Sequence, residues 1–318
     1  MTEILVSGIG RTTIWEVLTA GHLGKVSGFW VAIAIIGSID VAWMRHNSIE
    51  IAVWPFTRFI LTLALFCGAA WLVRRGRPNF IKVSAARVFR PSAQILLIMM
   101  VIAPLSYLIE SLRMPLIDDS LRAIDTALGF NWQNLTSFIL DHSAISLVLA
   151  VAYSSIFWQT VIVLTICSVG TRPRESEFVQ YYALSAIICV VVGGMLPALG
   201  EPAPLSTFPM EFERVRSGHW EVLDYGAMQG LVAFPSFHTA FAIICVYTVR
   251  HSLPALFGVG ALNLLMLLSI PTFGGHYLTD MIGGAAVAVA SILSTQMLNK
   301  LVEPDWRVAN NPAEPVVG

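Results

Sequence analysis

Two short stretches carry the residues able to do chemistry. Ala233–Ala240 (AFPSFHTA) sets Ser236, His238 and Thr239 at the mouth of an apolar run, and Gly274–Asp280 (GGHYLTD) sets His276 and Asp280 four residues apart. A helix stacks positions i and i+4 on one face. Asp280 is then placed to accept a hydrogen bond from one ring nitrogen of His276, fixing the tautomer and leaving the other nitrogen to present a lone pair. A histidine nucleophile needs that arrangement, with the carboxylate stabilising the positive charge after attack. His238 falls in the first turn of a helix opened by Pro235, where backbone N–H groups favour an anion. Two histidines and an aspartate at matched depth describe phosphoryl transfer: one histidine attacks phosphorus, the aspartate supports it, and the other histidine protonates the leaving oxygen.

Such transfer leans on positioning and charge stabilisation. Arginines usually supply the charge, and Arg214 and Arg216 are the first candidates, with His219 beside them and then Arg113 and Arg122. Ser236 and Thr239 are candidate substrate contacts, although Ser236 reads equally as a helix cap. Gly275 is a candidate for close substrate approach, and Gly274 for a turn.

The elements that must position these residues are membrane helices. Of the 318 residues, 56% are hydrophobic and 12% charged, with a mean hydropathy of +0.73; soluble domains carry about 25% charged residues. Stretches near the ~20 residues that span a bilayer recur around 28–45, 51–73, 92–112, 143–169, 179–199, 234–250, 253–273 and 276–298. The fold class is therefore all-α, a polytopic bundle of about eight spans. Alternating sides puts thirteen of the nineteen Lys and Arg residues on the side of the termini and five on the other, with Arg58 inside a span. The positive-inside rule then expects cytoplasmic termini, and both histidine stretches start helices on the outer side. Residues 113–141 read as a helix lying in the interface, with Leu121, Ile124 and Leu128 on one face and Asp118, Asp119, Arg122 and Asp125 on another. The loop 200–233 is long enough to be functional. Residues 1–91 form an N-terminal segment with two accessory helices, 92–298 a core and 299–318 a cytoplasmic tail.

Other features read as structural. Cys67, Cys167, Cys189 and Cys245 all lie in apolar runs and read as packing residues. Asp40 and Arg58 read as an ion pair across a hairpin. Glu110 and Arg113 read as snorkelling side chains, and Gly283-Gly284 as close helix packing. The N-terminus lacks a signal-peptide pattern, and a net charge of −1 gives no field for nucleic acid. His238, His276 and Asp280 also form a conceivable zinc ligand set, or ionisable groups of a transporter. No H-E-x-x-H base accompanies the first reading, and the second wants such groups at the midplane, not at helix starts.

P-S-x-H followed about forty residues later by H-x-x-x-D resembles the second and third signatures of the type 2 phosphatidic acid phosphatase superfamily. LVAFPSFHTA, NLLMLLSIPTFGGHYLTDMIGG, LPALGEP and IDTALGFNW are similar to its inositol phosphorylceramide synthase-like (aureobasidin-resistance-like) branch. The likeness covers roughly residues 115–298. It implies a six-helix core and a metal-independent phosphohistidine mechanism without cofactor, with His276 as nucleophile, Asp280 as its orienter and His238 as acid. The chain departs from the superfamily in two places. The arginine expected in the third signature is Ile270, after Ser269. The first signature has no match, since Arg172-Pro173 is preceded by Thr165 and falls on the cytoplasmic side. The expected function is a membrane lipid phosphatase, or alternatively a phosphotransferase. Its substrate would be a phospholipid, sphingolipid or polyprenyl phosphate.

Overall fold

The computed structural model describes residues 23–75, 77–170, 174–203 and 206–302. The N-terminal segment, the Arg172-Pro173 pair and the tail after 302 lie outside the described residues. Two accessory helices, α1 (Leu23–His46) and α2 (Val53–Val73), flank a two-residue strand β1 (Glu50–Ile51). They are followed by α3 (Phe80–Glu110), α4 (Asp118–Ala127), α5 (Trp132–Asp141), α6 (Ser143–Ser154), α7 (Ile156–Val169) and α8 (Glu175–Met195). The chain continues through α9 (Phe208–Ser217), β2 (Val222–Leu223), α10 (Phe237–Val249), α11 (Leu253–Gly274) and α12 (Leu278–Val302). The chain is an all-α polytopic bundle, in which six helices are long and apolar enough to cross a membrane.

The remaining two of the eight apolar stretches take other forms. Residues 143–169 divide into α6 and α7 at Ser155, whose backbone stays helical while its hydroxyl donates to the Ala152 carbonyl. Residues 234–250 yield the thirteen-residue α10. Apolar all round, α10 has no exposed residue: it packs against α7, α8, α11 and α12, and Ala240, Phe241, Ile244 and Cys245 are fully buried. By contrast α2 buries nothing, and Val53, Leu65 and Trp71 are exposed. In water such a face would be a liability; in a bilayer it is simply the lipid boundary.

Several expectations need correction. The third helix begins at Phe80, capped by Asn79, and so absorbs most of the loop expected at 74–91. Pro91 and Pro104 lie within it, as membrane helices tolerate. Arg87 leaves the basic run to bind Glu175 at 2.7 Å and the carbonyls of Cys167 and Ser168, tying α3 to the end of α7. The interfacial segment is two helices, α4 and α5, parted by Gly129 at φ +75°. Its face assignment also changes: Leu121 and Asp125 are buried, whereas Ile124 and Leu128 are exposed. The 200–233 loop contains α9 and β2, and β2 pairs in parallel with β1 in the register Glu50–Val222 and Ile51–Leu223. Asp40 is buried with one carboxylate oxygen unpartnered among the described residues, where it forms no ion pair with Arg58. Glu110 does not snorkel; it is buried and paired with Arg216 at 3.3 Å. Of the four free cysteines, Cys67 is exposed and the other three are buried.

Candidate active site

The αL turn at Gly275 (φ +66°) ends α11 and leads into α12, so His276 lies in the connection and not on the helix as its spacing predicts. Asp280 occupies the first turn of α12. Its Oδ2 accepts from His276 Nδ1 at 3.1 Å and from the Tyr277 N–H at 3.0 Å, the second contact being the reach-back half of a capping box. With Nδ1 engaged, Nε2 of His276 is the free ring nitrogen. His238 sits at the second position of α10, behind Ser236, which caps the helix by accepting from the Thr239 N–H. Pro235 therefore precedes the cap instead of opening the helix.

Close packing joins the two histidine-bearing segments. A Cβ on Gly284 would meet the Ser236 carbonyl at 2.2 Å, and one on Gly283 would meet the Phe234 ring at 2.8 Å. The Ser236 N–H also donates to the Asp280 carbonyl at 3.0 Å. His238 and His276 both line a cavity of about 630 Å³, whose walls are mostly apolar side chains of α3, α7 and α8 such as Ile95, Met99, Phe157, Ala186 and Val190. Tyr153 lies flat against His238, with ring centroids 4.5 Å apart and an interplanar angle of 11°. Among the described residues no hydrogen bond holds the His238 ring; this stack orients it.

Sequence reasoning missed what holds the His276 connection in place. Asp125 of α4 accepts from the Leu278 and Thr279 N–H groups at 2.7 and 2.9 Å, and from the Thr279 hydroxyl at 2.6 Å. It therefore caps α12 from a distant part of the chain. Asp118, one end of the same helix, accepts from the Leu199 and Gly200 N–H groups and from the Tyr277 hydroxyl. The Glu201 N–H donates to the Gly275 carbonyl at 2.7 Å. Replacing Asp125 by alanine leaves three donors without their acceptor, an expected loss of roughly 3 kcal/mol. Thermal unfolding in detergent should show this as a lowered midpoint, with Asp119→Ala unchanged because the Asp119 side chain is solvent-exposed.

The predicted phosphate-binding arginines are placed elsewhere. Arg214 pairs with Glu211 at 2.6 Å, and Arg216 with Glu110 and the Met114 carbonyl. Arg122 donates to Glu201 at 3.1 Å and to the Tyr277 hydroxyl at 3.0 Å; the Glu201 hydrogen bond raises its pKa further. His219 bonds Ser217. No lysine or arginine is among the described residues lining the cavity. Thr239 is buried with its hydroxyl unpartnered among the described residues. The two glycines exchange their expected parts: Gly275 makes the turn, and Gly274 lines the cavity. No group of three His, Cys, Asp or Glu residues among those described is placed to hold a metal ion.

The arrangement offers one oriented imidazole with a free nitrogen, a second imidazole across the same cavity, and a buried carboxylate. No curated protein and no solved structure matches the chain. The PAP2 superfamily model matches residues 119–294, from α4 through most of α12, and so takes in both histidines and Asp280. That match spans more than half of the protein, and the chain belongs to the PAP2 superfamily.

Proposed function

We propose that the protein is a membrane enzyme that removes the phosphoryl group of a lipid phosphate through a phosphohistidine at His276. One observation carries this reading: the free nitrogen of an Asp280-held histidine and a second histidine share one cavity whose walls are mostly apolar. Binding sites of that kind accept an apolar body and fix its polar end with a few groups. Acyl or prenyl chains fit between α3, α7 and α8 while the phosphate meets the histidines.

In the first step the Nε2 lone pair of His276 forms a bond to phosphorus as the bond from phosphorus to the leaving oxygen breaks. His238, entering protonated, gives its proton to that oxygen. The Nδ1 proton stays on the ring, and the Asp280 carboxylate balances the charge. In the second step neutral His238 takes a proton from water as the water oxygen bonds to phosphorus. The phosphorus–nitrogen bond breaks, and its electron pair returns to Nε2. The excess of basic residues on the side of the termini supports a site that opens outward. The LPALGEP and IDTALGFNW motifs support the synthase-like branch, where an alcohol replaces water.

Purified protein in nanodiscs, given phosphatidic acid or a polyprenyl pyrophosphate, should release free phosphate at a rate unaffected by added ceramide and by EDTA. Turnover that requires the alcohol and yields a phosphodiester replaces hydrolysis with transfer. Loss of activity in EDTA with recovery on zinc replaces the covalent route with a metal-assisted one.

A further inference from the structure

A phosphoryl group passing between oxygen and nitrogen carries negative charge on its non-bridging oxygens, and its transfer depends on groups that stabilise that charge. In this cavity no described residue brings a guanidinium or ammonium, and Arg122, Arg214 and Arg216 are committed to carboxylates elsewhere. Another donor must face the phosphorus. Tyr153, near the end of α6, lines the same cavity, and its hydroxyl makes no hydrogen bond among the described residues. Tyr153 is half-buried, and a tyrosine hydroxyl set among apolar side chains ordinarily finds a partner.

The surroundings of Gly274 show where that hydroxyl lies. A Cβ built there would stand 3.0 Å from the Tyr153 hydroxyl, 2.6 Å from His276 Cδ2 and 3.2 Å from His276 Nε2. The unpartnered donor and the attacking nitrogen thus both pack against Gly274, where a side chain would collide with them. The same tyrosine ring stacks on His238, so it touches both histidines' surroundings at once.

We propose that Tyr153 is a catalytic residue whose O–H donates a hydrogen bond to a non-bridging phosphoryl oxygen, and that Gly274, having no side chain, lets this hydroxyl and the His276 ring come together. The proposal rests on the phosphohistidine reading. The hydroxyl transfers no proton; its bond strengthens as charge builds on the oxygen, the behaviour of a preorganised oxyanion donor. Its ring meanwhile holds the His238 imidazole in plane.

Orthovanadate, which adopts the five-coordinate geometry of the transferring phosphorus, is the probe, with calorimetric titration of the full chain in nanodiscs as the measurement. Tyr153→Phe keeps the stacked ring and removes only the hydroxyl. Its vanadate Kd should rise on the order of 10²-fold, and kcat for lipid phosphate should fall similarly with KM little changed. Gly274→Ala forces the Tyr153 hydroxyl and the His276 ring apart and should also weaken vanadate binding. Wild-type vanadate affinity in Tyr153→Phe or Gly274→Ala, with affinity lost in His276→Ala, overturns the role of Tyr153 and leaves the phosphohistidine standing. Equal affinity in wild type and His276→Ala, or none in wild type, removes the phosphohistidine and the tyrosine together.

Discussion

His276→Ala should release no phosphate from any lipid phosphate and should trap no phosphoenzyme, with turnover down by roughly 10⁴-fold or more. The chemistry has no substitute nearby. Nε2 of His276 is the ring nitrogen left free by the Asp280 bond, and His238, stacked on Tyr153, lacks a carboxylate partner among the described residues. Quenching turnover of labelled phosphatidic acid should yield an acid-labile protein-bound phosphate in wild type. His238→Ala should form that species slowly, since departure of the lipid alcohol then lacks a proton. The fold should survive, because among the described residues the His276 side chain bonds only Asp280, and truncation leaves that carboxylate its Tyr277 N–H. Normal phosphate release by His276→Ala would end the covalent mechanism.

Asp280→Asn should cut kcat/KM on the order of 10³–10⁴-fold, the scale of losing tautomer control in a catalytic triad. One oxygen, Oδ2, accepts from both His276 Nδ1 and the Tyr277 N–H. An asparagine that keeps its oxygen on Tyr277 retains the cap; one that turns its amide to the ring donates where the carboxylate accepted. The proton then moves to Nε2 and the lone pair is withdrawn from the substrate. Nitrogen NMR of the His276 ring reports that tautomer directly. Stability should move the other way. Oδ1 of Asp280 is buried without a partner among the described residues, and a buried charge is costlier than a neutral amide, so the melting temperature should hold or rise. Activity within tenfold of wild type would reduce Asp280 to a helix cap.

The histidine–aspartate pair was legible because it is local: four residues fix the contact whether His276 sits on the helix or just before it. The eight apolar stretches were legible for a similar reason, since each reports its own environment. What escaped the sequence was joined over distance. Asp118 and Asp125 read as the polar face of an interfacial helix, yet they cap backbone groups some eighty and 150 residues further along. Backbone acceptors and donors leave no residue type to recognise. The arginines misled because charge names a capability and not a location: Arg216 is satisfied by Glu110, which itself read as a snorkelling side chain. Tyr153 lies inside an apolar run, where nothing in its neighbours marks it as facing a cavity.

The cavity is assembled from two unequal contributions. The histidines, Tyr153 and Gly274 fall within the family match at 119–294, whereas Phe66 of α2 and the wall from Ser92 to Ala103 of α3 fall before it. Those earlier helices are bound to the far side of the opening by the β1–β2 pair and by Tyr225, which packs on Phe56 and Phe59 and donates to the Met100 carbonyl. Part of the cavity's wall therefore comes from outside the matched region, while α7 and α8 supply the rest from within it. Substitutions in α3 such as Ile95→Ala or Met99→Ala would reshape the cavity without touching His238, Tyr153, Gly274 or His276.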